Sequence, residues 1–283
     1  MIGSLQTGVS GLQHFQEDLE VIGNNIANVN TTGYKSASMQ FADTFSQSFG
    51  NTGSGSTMQI GTGVDSASVQ SDYTQGTFNP TGIKTNLGIS GNGFFVVKDP
   101  ASGVNFATRD GGFTVESGYL VSATGYRVQG YTGTAPFSSS SPIGDLQIND
   151  ASAIAALNDT TTPAPTLADW SIDSKGQINA ALSDGTTGVI GQVVLQNFTN
   201  PQALQKQGNN LFFYTTAAGP LSAPAAPMSA GMGLIKSGAL ESSNVDLAGQ
   251  MAAMIVAQRA FEANAKIVTT SDEVLQTLVN LKR

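Results

Sequence analysis

The chain has 283 residues and a net charge of −8, and charged residues make up only 11% of it, well below the roughly 25% of ordinary soluble domains. The acidic balance argues against nucleic-acid binding, because phosphates require clustered lysine and arginine side chains. The absence of cysteine excludes disulfides, thiolate catalysis and cysteine-ligated metals. No segment has the length of an apolar membrane span, and the N-terminus lacks the pattern of a cleaved secretion signal.

The first predicted element is an amphipathic helix over residues 4–28. Its apolar residues recur at spacings of three and four, which is the period of one helix face; they are Leu5, Val9, Leu12, Phe15, Leu19, Ile22, Ile26 and Val29. Gly8, Gly11 and Gly23 each weaken the helix by up to about 1 kcal/mol, so the helix should not be stable alone. The pattern therefore predicts that this helix packs against another element.

An asparagine-rich segment, residues 24–30, follows the helical pattern and leads into Thr-Thr-Gly at residues 31–33. Asparagine side chains bond to neighbouring backbone and tolerate left-handed conformations, so this composition is typical of a helix end. Asparagine ladders between subunits are the alternative, and spacing alone does not separate the two interpretations. Asn24, Asn25 and Asn28 are therefore candidate contact residues.

The middle of the chain changes to a period of two, which is typical of strands. Turn signals such as Asn92-Gly93 separate short strand patterns. We predict a central all-β domain of short strands over residues 72–133 and 169–240. The Ser/Pro/Ala-rich residues 134–168 are predicted to form a loop or a small insertion, and residues 34–71 a connecting segment.

The last predicted element is a long helix that starts near Ser243. Ser243 and Asn244 can accept hydrogen bonds from the first free amides, and Asp246 places negative charge at the positive end of the helix dipole. Apolar residues recur at spacings of four and three in a seam that Gln258 and Asp272 interrupt. The seam residues are Leu247, Met251, Met254, Phe261, Ala265, Val268, Leu275 and Val279.

Two seam-bearing helices at opposite ends of the chain predict an α+β fold. Residues 1–33 and 243–283 are predicted to form an antiparallel coiled coil, with the short strands in a central all-β domain. Two ordinary core-facing helices of a globular domain are the alternative on periodicity alone.

The residue inventory contains little that could support catalysis. His14 is the only histidine, so a metal site or a catalytic triad has no second imidazole or thiol to use. The acidic pairs Glu17-Asp18 and Asp272-Glu273 point to different helix faces, unlike an acid/base dyad. The glycine-rich residues 88–93 precede a strand pattern, whereas a phosphate-binding loop follows one. We therefore predict a protein that is not an enzyme and holds no cofactor or metal.

Four blocks of the sequence resemble the flagellar rod and hook family of bacterial axial proteins. The blocks are residues 4–41, with the core Asn-Asn-Ile-Ala-Asn-x-Asn-Thr-x-Gly at residues 24–33, and residues 88–97, 107–131 and 240–281. They frame most of the chain, and residues 134–168 are the least covered. Long, ordered and multiple motifs of this kind are highly specific.

Within the family, residues 21–26, 197–201 and 278–281 look most like the hook protein. The length argues differently, because hook proteins usually carry an additional outer β-domain that residues 134–168 are too few to build. The resemblance predicts first a short-form structural subunit of the flagellar hook, which links the rod to the filament. A distal rod subunit that transmits torque is the alternative, and a secreted carbohydrate-binding or hydrolytic β-protein is the remote alternative.

The resemblance implies a tubular helical polymer, with the terminal helices on the inner wall around a channel and the β-domains outside. It also implies export through the flagellar type III apparatus without signal cleavage, an extracellular place in the hook or basal body, and termini that are disordered before assembly. The implied partners are further copies of the chain, the export apparatus, and neighbouring axial proteins of the rod, the hook–filament junction and the hook cap. Neither nucleic acid nor membrane insertion is expected.

The assembly residues that the resemblance implies lie on the two terminal helices. They are Leu5, Val9, Leu12, Leu19, Ile22, Asn24, Asn25, Ile26, Asn28, Met254, Gln258, Phe261, Val268 and Leu275. Gln258 and Asp272 interrupt the apolar seam, which makes them candidates for contacts between subunits or with the channel.

Overall fold

The computed structural model describes residues 2–51, 57–133, 135–137, 141–149, 154, 166–219 and 223–281. It divides into two compact units. The helical unit comprises Met1–Val29, Lys35–Asp72 and Val245–Arg283, and the β unit comprises Asn30–Tyr34 and Tyr73–Asn244. Terminal helices and central antiparallel strands confirm the predicted α+β fold class. Most of the loop or insertion predicted at residues 134–168 lies outside the described residues.

Two antiparallel helices, α1 (Ile2–Ala27) and α2 (Leu247–Leu281), dominate the helical unit. Ser4 near the start of α1 meets Ser271 near the end of α2, with 3.4 Å between the two Oγ atoms. This direction confirms the predicted antiparallel pairing of the terminal helices. Neither described helix is long and apolar enough to cross a membrane.

Asp246, one residue of the predicted start signal, caps α2. The side chain of Asp246 accepts a hydrogen bond from the Ala248 amide at 3.1 Å, while Nδ2 of Asn244 donates to the Thr74 carbonyl at 3.2 Å. Asp246 therefore supplies both the capping oxygen and the negative charge at the positive end of the helix dipole.

Residues 35–71, which the sequence predicts as part of a connecting segment, form hairpins in the helical unit. Strand β1 (Ala37–Asp43) pairs antiparallel with β4 (Val64–Ser71), and β2 (Ser46–Asn51) pairs antiparallel with β3 (Thr57–Gly61). Met39 of β1 is buried, and the ring of Phe41 lies 5.5 Å from that of Phe15 on α1. The ribbon formed by β1 and β4 is therefore packed on α1.

Gly63 allows the ribbon to approach α1 closely. Its φ is +142°, which L side chains rarely adopt, and a Cβ there would lie 2.5 Å from Oγ of Ser10. Two hydrogen bonds join the helix to the ribbon at this point: Thr7 donates to the Thr62 carbonyl at 3.4 Å, and the Val64 amide donates to Ser10 at 3.5 Å. Glycine is thus required where the hairpin meets the helix.

The β unit consists of short strands that all pair antiparallel. They are β5 (Phe78–Pro80), β6 (Leu87–Ser90), β7 (Phe94–Lys98), β8 (Asn105–Thr108), β9 (Thr114–Glu116), β10 (Tyr119–Val121), β11 (Arg127–Thr132), β12 (Ile143–Asp145), β13 (Leu167–Ile172), β14 (Gln177–Leu182), β15 (Thr187–Val193), β16 (Leu195–Gln196), β17 (Gln205–Gly208), β18 (Leu211–Phe213), β19 (Leu234–Ser237) and β20 (Ala239–Glu241). The main sheet runs β13-β14-β15-β11-β7-β8-β18-β17, with β9, β10, β12 and β16 attached to it. Two smaller sheets pair β19 with β6 and β20 with β5.

Two apolar clusters fill the β unit. In the larger cluster the rings of Phe95 and Phe113 meet edge to face, with centroids 5.1 Å apart. The smaller cluster surrounds Phe94, whose ring lies edge-on to Phe198 at 5.5 Å and to Phe212 at 5.8 Å. Such edge-to-face pairs stabilise a core beyond the area that they bury. The β unit therefore has a core that is formed by its own apolar side chains.

Candidate assembly site

The two helices approach each other along glycines of α1. A Cβ at Gly8 would lie 3.0 Å from Cγ2 of Val268, and a Cβ at Gly11 would lie 2.9 Å from Nδ2 of Asn264. Both distances are tighter than ordinary van der Waals contact. The glycines that weaken α1 in isolation therefore allow close packing against α2.

Asn25 fixes the other end of the helix pair. Its Nδ2 donates to the Ala37 carbonyl at 2.7 Å and to Oε1 of Gln250 at 3.0 Å, and its Oδ1 accepts from the Ala37 amide at 3.0 Å. One buried side chain thus joins α1, α2 and the start of β1. Asn28 bonds within its own helix, donating to the Asn24 carbonyl at 2.9 Å, as expected at a helix end.

Three contacts between the helices, Ser4 with Ser271, Gly11 with Asn264 and Asn25 with Gln250, belong to one repeat of seven residues. Its positions on α1 are Ser4, Gly11, Asp18 and Asn25, and its positions on α2 are Ser271, Asn264, Ala257 and Gln250. Seven is the spacing of a coiled-coil seam, but this seam is small and polar where the sequence predicts an apolar one. Burial raises the pKa of the Asp18 carboxyl above its ordinary value.

The structure places the predicted assembly residues in three environments. Ile22 and Asn25 are buried; Leu5, Leu12, Leu19, Ile26, Asn28, Met254, Val268 and Leu275 are half-buried; Val9, Asn24, Gln258 and Phe261 are exposed. The structure brings Asn25 to Gln250 and Val268 to Gly8 within the helix pair. The part that these residues play in assembly stays a prediction.

The outer surface of α2 carries large apolar side chains with no cover in the helical unit. They are Leu247, Met251, Ile255, Val256, Phe261, Ile267, Val274, Leu278, Val279 and Leu281, each between 36% and 82% exposed. The sequence places Leu247, Met251, Phe261 and Val279 in the apolar seam, and the structure exposes all four. Extended apolar surface of this kind marks an interaction site.

The structure offers little that resembles a reaction centre. Among the described residues, no group of three or more His, Cys, Asp and Glu side chains is placed to hold a metal ion. Nδ1 of His14 lies 3.1 Å from a carboxylate oxygen of Glu17, and Nε2 lies 3.7 Å from Asp65. His14 therefore connects α1 with β4.

Thr32 and Gly33 attach the end of the asparagine-rich segment to the rest of the β unit. Oγ1 of Thr32 donates to Asp110 at 2.9 Å, and the Gly33 amide donates to the Glu241 carbonyl at 2.8 Å. Gly33 has a φ of +66°, and a Cβ there would lie 2.7 Å from the carbonyl carbon of Arg109. Only glycine fits this position, so the Thr-Thr-Gly motif docks the chain as well as ending a helix pattern.

A buried ion pair lies beside this docking point. Nη1 of Arg109 is 3.4 Å from Oε2 of Glu241, and the two side chains are 5% and 0% exposed. Arg109 also donates to the Gly91 carbonyl at 3.0 Å and lies over the Phe94 ring at 5.1 Å. Burial lowers the pKa of Arg109, and the charge of Glu241 opposes that shift. Sequence reasoning missed the pair because its members are 132 residues apart.

Three family models match separate parts of the chain. The model described as "Flagella basal body rod protein" matches residues 5–35. The model described as "Flagellar hook protein FlgE/F/G D1 domain" matches residues 88–180. The model described as "Flagellar basal body rod FlgEFG protein C-terminal" matches residues 236–281. The matched regions include α1, much of the main sheet, and α2.

Curated relatives match the chain from end to end. The flagellar basal-body rod protein FlgG of Bacillus subtilis (strain 168) is 39% identical over 292 aligned positions, which cover 100% of both chains. The protein of the same name from Borreliella burgdorferi is 33% identical over 292 positions, again covering 100% of both. The flagellar hook protein FlgE of B. burgdorferi is 28% identical over 445 positions, with the same coverage.

Proposed function

This chain belongs to the bacterial flagellar rod and hook protein family, which confirms the predicted resemblance, and we propose that it is a structural subunit of the flagellar rod. The observation that carries the proposal is the match to the FlgG rod protein of B. subtilis, at 39% identity over 100% of both chains. Such an alignment leaves no unmatched domain in either protein. Because the matching relatives are structural flagellar proteins, we propose a structural role without catalysis.

The comparisons favour the rod, which is the alternative in the sequence-based prediction, over the hook, which is its first choice. The hook relative aligns over 445 positions, whereas this chain has 283 residues. More than a third of those positions therefore hold no residue of this chain. The identity to the hook relative is also lower, at 28% against 39% for the rod protein of B. subtilis.

The helical unit supports a polymerising subunit. The exposed apolar side chains of α2 lose their contact with water when copies of the chain pack together, which favours association. We propose head-to-tail contacts between unlike surfaces, because repetition of such contacts generates open helical assemblies. Neighbouring axial proteins of the basal body are the further partners on this proposal.

The same proposal includes transport by the flagellar type III export apparatus without signal cleavage, to a place in the basal body outside the cytoplasm. Passage through a narrow channel requires a chain that unfolds readily. The glycines of α1 and the polar layers between the helices support this step, because they make the helix pair marginal before assembly.

The test is to delete this chain from its own bacterium and to examine isolated basal bodies by electron cryo-microscopy. We expect rods that lack their distal part and carry no hook, and expression of the wild-type chain should restore both. A complete rod that lacks only the hook would contradict the rod proposal and favour the hook. An unchanged flagellum would contradict both.

A further inference from the structure

A groove lies between α1 and the ribbon of β1 and β4. Its volume is about 360 Å³, and it is lined by Glu17, Glu20, Val21, Asn24, Met39, Ser66, Ser68 and Val69. Met39 is buried and Val69 is 56% exposed. Glu17 and Glu20 are exposed side chains of α1. This acidic groove therefore offers apolar surface beside two carboxylates.

One face of α2 has the complementary character. Its residues are separated by three or four positions, so they lie on one side of the helix; they are Val256, Arg259, Ala263, Lys266 and Ile267. Val256 is 67% exposed and Ile267 45%, and the two basic side chains are exposed as well. This basic face therefore combines an apolar stripe with two positive charges.

Positive charge is scarce in the helical unit. Its described residues include three lysine or arginine side chains, of which Lys35 is buried and Arg259 and Lys266 are exposed. Arg259 pairs with Glu262 of its own helix, where water reaches both side chains. None of the ion pairs between described residues includes Glu20 or Lys266. Each of these two charges is therefore available to an opposite charge of a second molecule.

The β unit supplies poorer matches for the acidic groove. Four of its cations have partners within that unit: Lys84 pairs with Asp169, Arg127 pairs with Asp145, Lys206 lies over the ring of Tyr34, and Lys236 lies over the ring of Phe78. Lys175 is exposed, but the nearby Ile172 and Ile178 are buried. The basic face fits better, because its charges lie beside exposed apolar side chains.

The basic face does not reach the groove of its own chain. Asn264 of α2 meets Gly11 of α1, and Lys266, two residues further on, is turned about 160° around the helix from that contact. Glu20 lies nine residues from Gly11 in the opposite direction along the antiparallel pair. Glu20 and Lys266 of one chain are therefore about 16 Å apart along the helix axis. Contact between them requires two copies of the chain.

We propose that the basic face of one copy docks in the acidic groove of a second copy. Ala263 and its apolar neighbours cover Val69, and Lys266 pairs with Glu20. This inference rests on the proposed rod function and deepens it by naming both sides of one subunit contact. The two sides differ and lie at different levels of the helix pair. Copies with parallel axes are therefore displaced along that axis, and the contact repeats as an open helix rather than a closed ring.

Site-directed cross-linking tests the contact, since the chain contains no cysteine of its own. One preparation of the full chain carries Val69→Cys and a second carries Ala263→Cys. Mild oxidation of the mixture under assembly conditions should give a covalent dimer that contains one of each, about fivefold more than the control gives, because docking raises the concentration of one thiol near the other. The control mixes Ala263→Cys with Ile83→Cys, because Ile83 is 54% exposed, close to the 56% of Val69, but lies in the β unit.

Charge reversal tests the same contact without cysteine. Glu20→Lys and Lys266→Glu should each weaken self-association about fivefold, because an attraction between exposed charges becomes a repulsion. Both substitutions in one chain should restore association to within about twofold of wild type, because the pair forms again with its signs exchanged. The matched control is Glu20→Lys with Lys175→Glu, which restores the net charge through an exposed residue of the β unit. In that control, association should stay weakened.

The outcomes separate this contact from the rod proposal. Selective cross-linking together with restoration by the charge exchange supports the contact. If the wild-type chain self-associates in sedimentation velocity but the Val69→Cys mixture gives only the control level of dimer, the contact is wrong and the polymerising function stands. If the charge exchange does not restore association, or the net-charge control restores it equally, the pairing is likewise wrong. Absence of wild-type self-association under all assembly conditions would remove the polymerising function and this contact together.

Discussion

The β unit buries many of its apolar side chains, whereas the helical unit buries few and exposes many of its large ones. Among the described residues, thirty-one of the thirty-four buried apolar residues belong to the β unit, and only Ile22, Met39 and Ala257 belong to the helical unit. Of the nineteen large apolar residues that are exposed, fourteen belong to the helical unit. The β unit therefore has a core of its own, whereas the helical unit leaves many of its large apolar side chains exposed.

The seam between the helices shows how the helical unit holds its register at low stability. A hydrogen bond contributes about 0.5–1.5 kcal/mol net, whereas a fully buried Leu, Ile or Phe side chain contributes about 1.5–3 kcal/mol. Layers such as Ser4 with Ser271 and Asn25 with Gln250 therefore define which residues meet without burying much apolar area. On the proposed function, which includes export and polymerisation, this division between a unit with a large core and a unit with a small one is the expected arrangement.

The largest effect is expected in the β unit from Glu241→Ala. The substitution leaves the buried charge of Arg109 without its partner, and such a loss costs about 3–5 kcal/mol. The denaturation midpoint of the β unit, followed by the fluorescence of Trp170, should fall accordingly. The control is Lys84→Ala, which removes an exposed ion pair with Asp169 and should leave the midpoint nearly unchanged, because solvent screens such a pair. If both substitutions lowered the denaturation midpoint by a similar amount, the buried pair would not be a special source of stability.

In the helical unit, Gly11→Leu should have the next largest effect. Its side chain enters the space that Asn264 occupies, and overpacking of this kind costs about 1–3 kcal/mol. Helical circular dichroism and self-association should both decrease. Gly23→Ala is the matched control, because nothing lies within 4 Å of a Cβ at that position, and it should stabilise the helix by up to about 1 kcal/mol. If both substitutions stabilised the helical unit, or both destabilised it, the result would contradict the close approach at Gly11.

Asn25→Ala should cost about 1–2 kcal/mol, because it removes three hydrogen bonds from a buried position and leaves Gln250 and the Ala37 backbone without them. The loss should appear in thermal unfolding of the helical unit and in faster hydrogen exchange at the start of β1. Asn24→Ala, at an exposed neighbouring position, should change stability by less than about 0.5 kcal/mol. Equal effects would show that Asn25 has no special part in joining the three elements.

The smallest effect is expected from Asp18→Asn. Burial raises the pKa of the Asp18 carboxyl, because it disfavours the ionised form. The stability of the folded state is therefore fully present below the unfolded pKa, where the carboxyl is neutral. Part of that stability is lost as the pH rises through the higher folded pKa. The amide does not ionise, so the variant should gain stability at neutral pH and match wild type in acid. The gain should stay below about 1 kcal/mol, since the carboxyl is only half-buried and solvent screens it. A variant that is less stable than wild type at neutral pH would contradict this account.

Local periodicity explains which parts of the fold the sequence predicts. The apolar period of α1, the cap at Asp246 and the Asn92-Gly93 turn before β7 each depend on residues that are close together in the sequence. Strand β4 carries the period of two at residues 64–69, whereas β1 gives no such pattern, because Met39 is its one buried residue. A strand that presents one apolar residue to a helix lacks the alternation on which strand prediction depends.

The candidate site is harder to predict because its determinants join distant parts of the chain. Gly8 and Gly11 count against a helix in isolation, and their value appears only beside Val268 and Asn264. The signal that could have found the seam is the recurrence of small and polar residues every seven positions, which a search for apolar residues passes over.

Amide hydrogen exchange on the isolated, unassembled chain tests the contrast between the two units most directly. The account predicts strong protection of β7 and β15 and weak protection throughout α1 and α2, with the helices becoming protected only on assembly. Protection of α1 and α2 in the monomer that equals protection of the main sheet would contradict it. In that case the helical unit would be stable alone, and its exposed apolar surface would have no part in folding coupled to assembly.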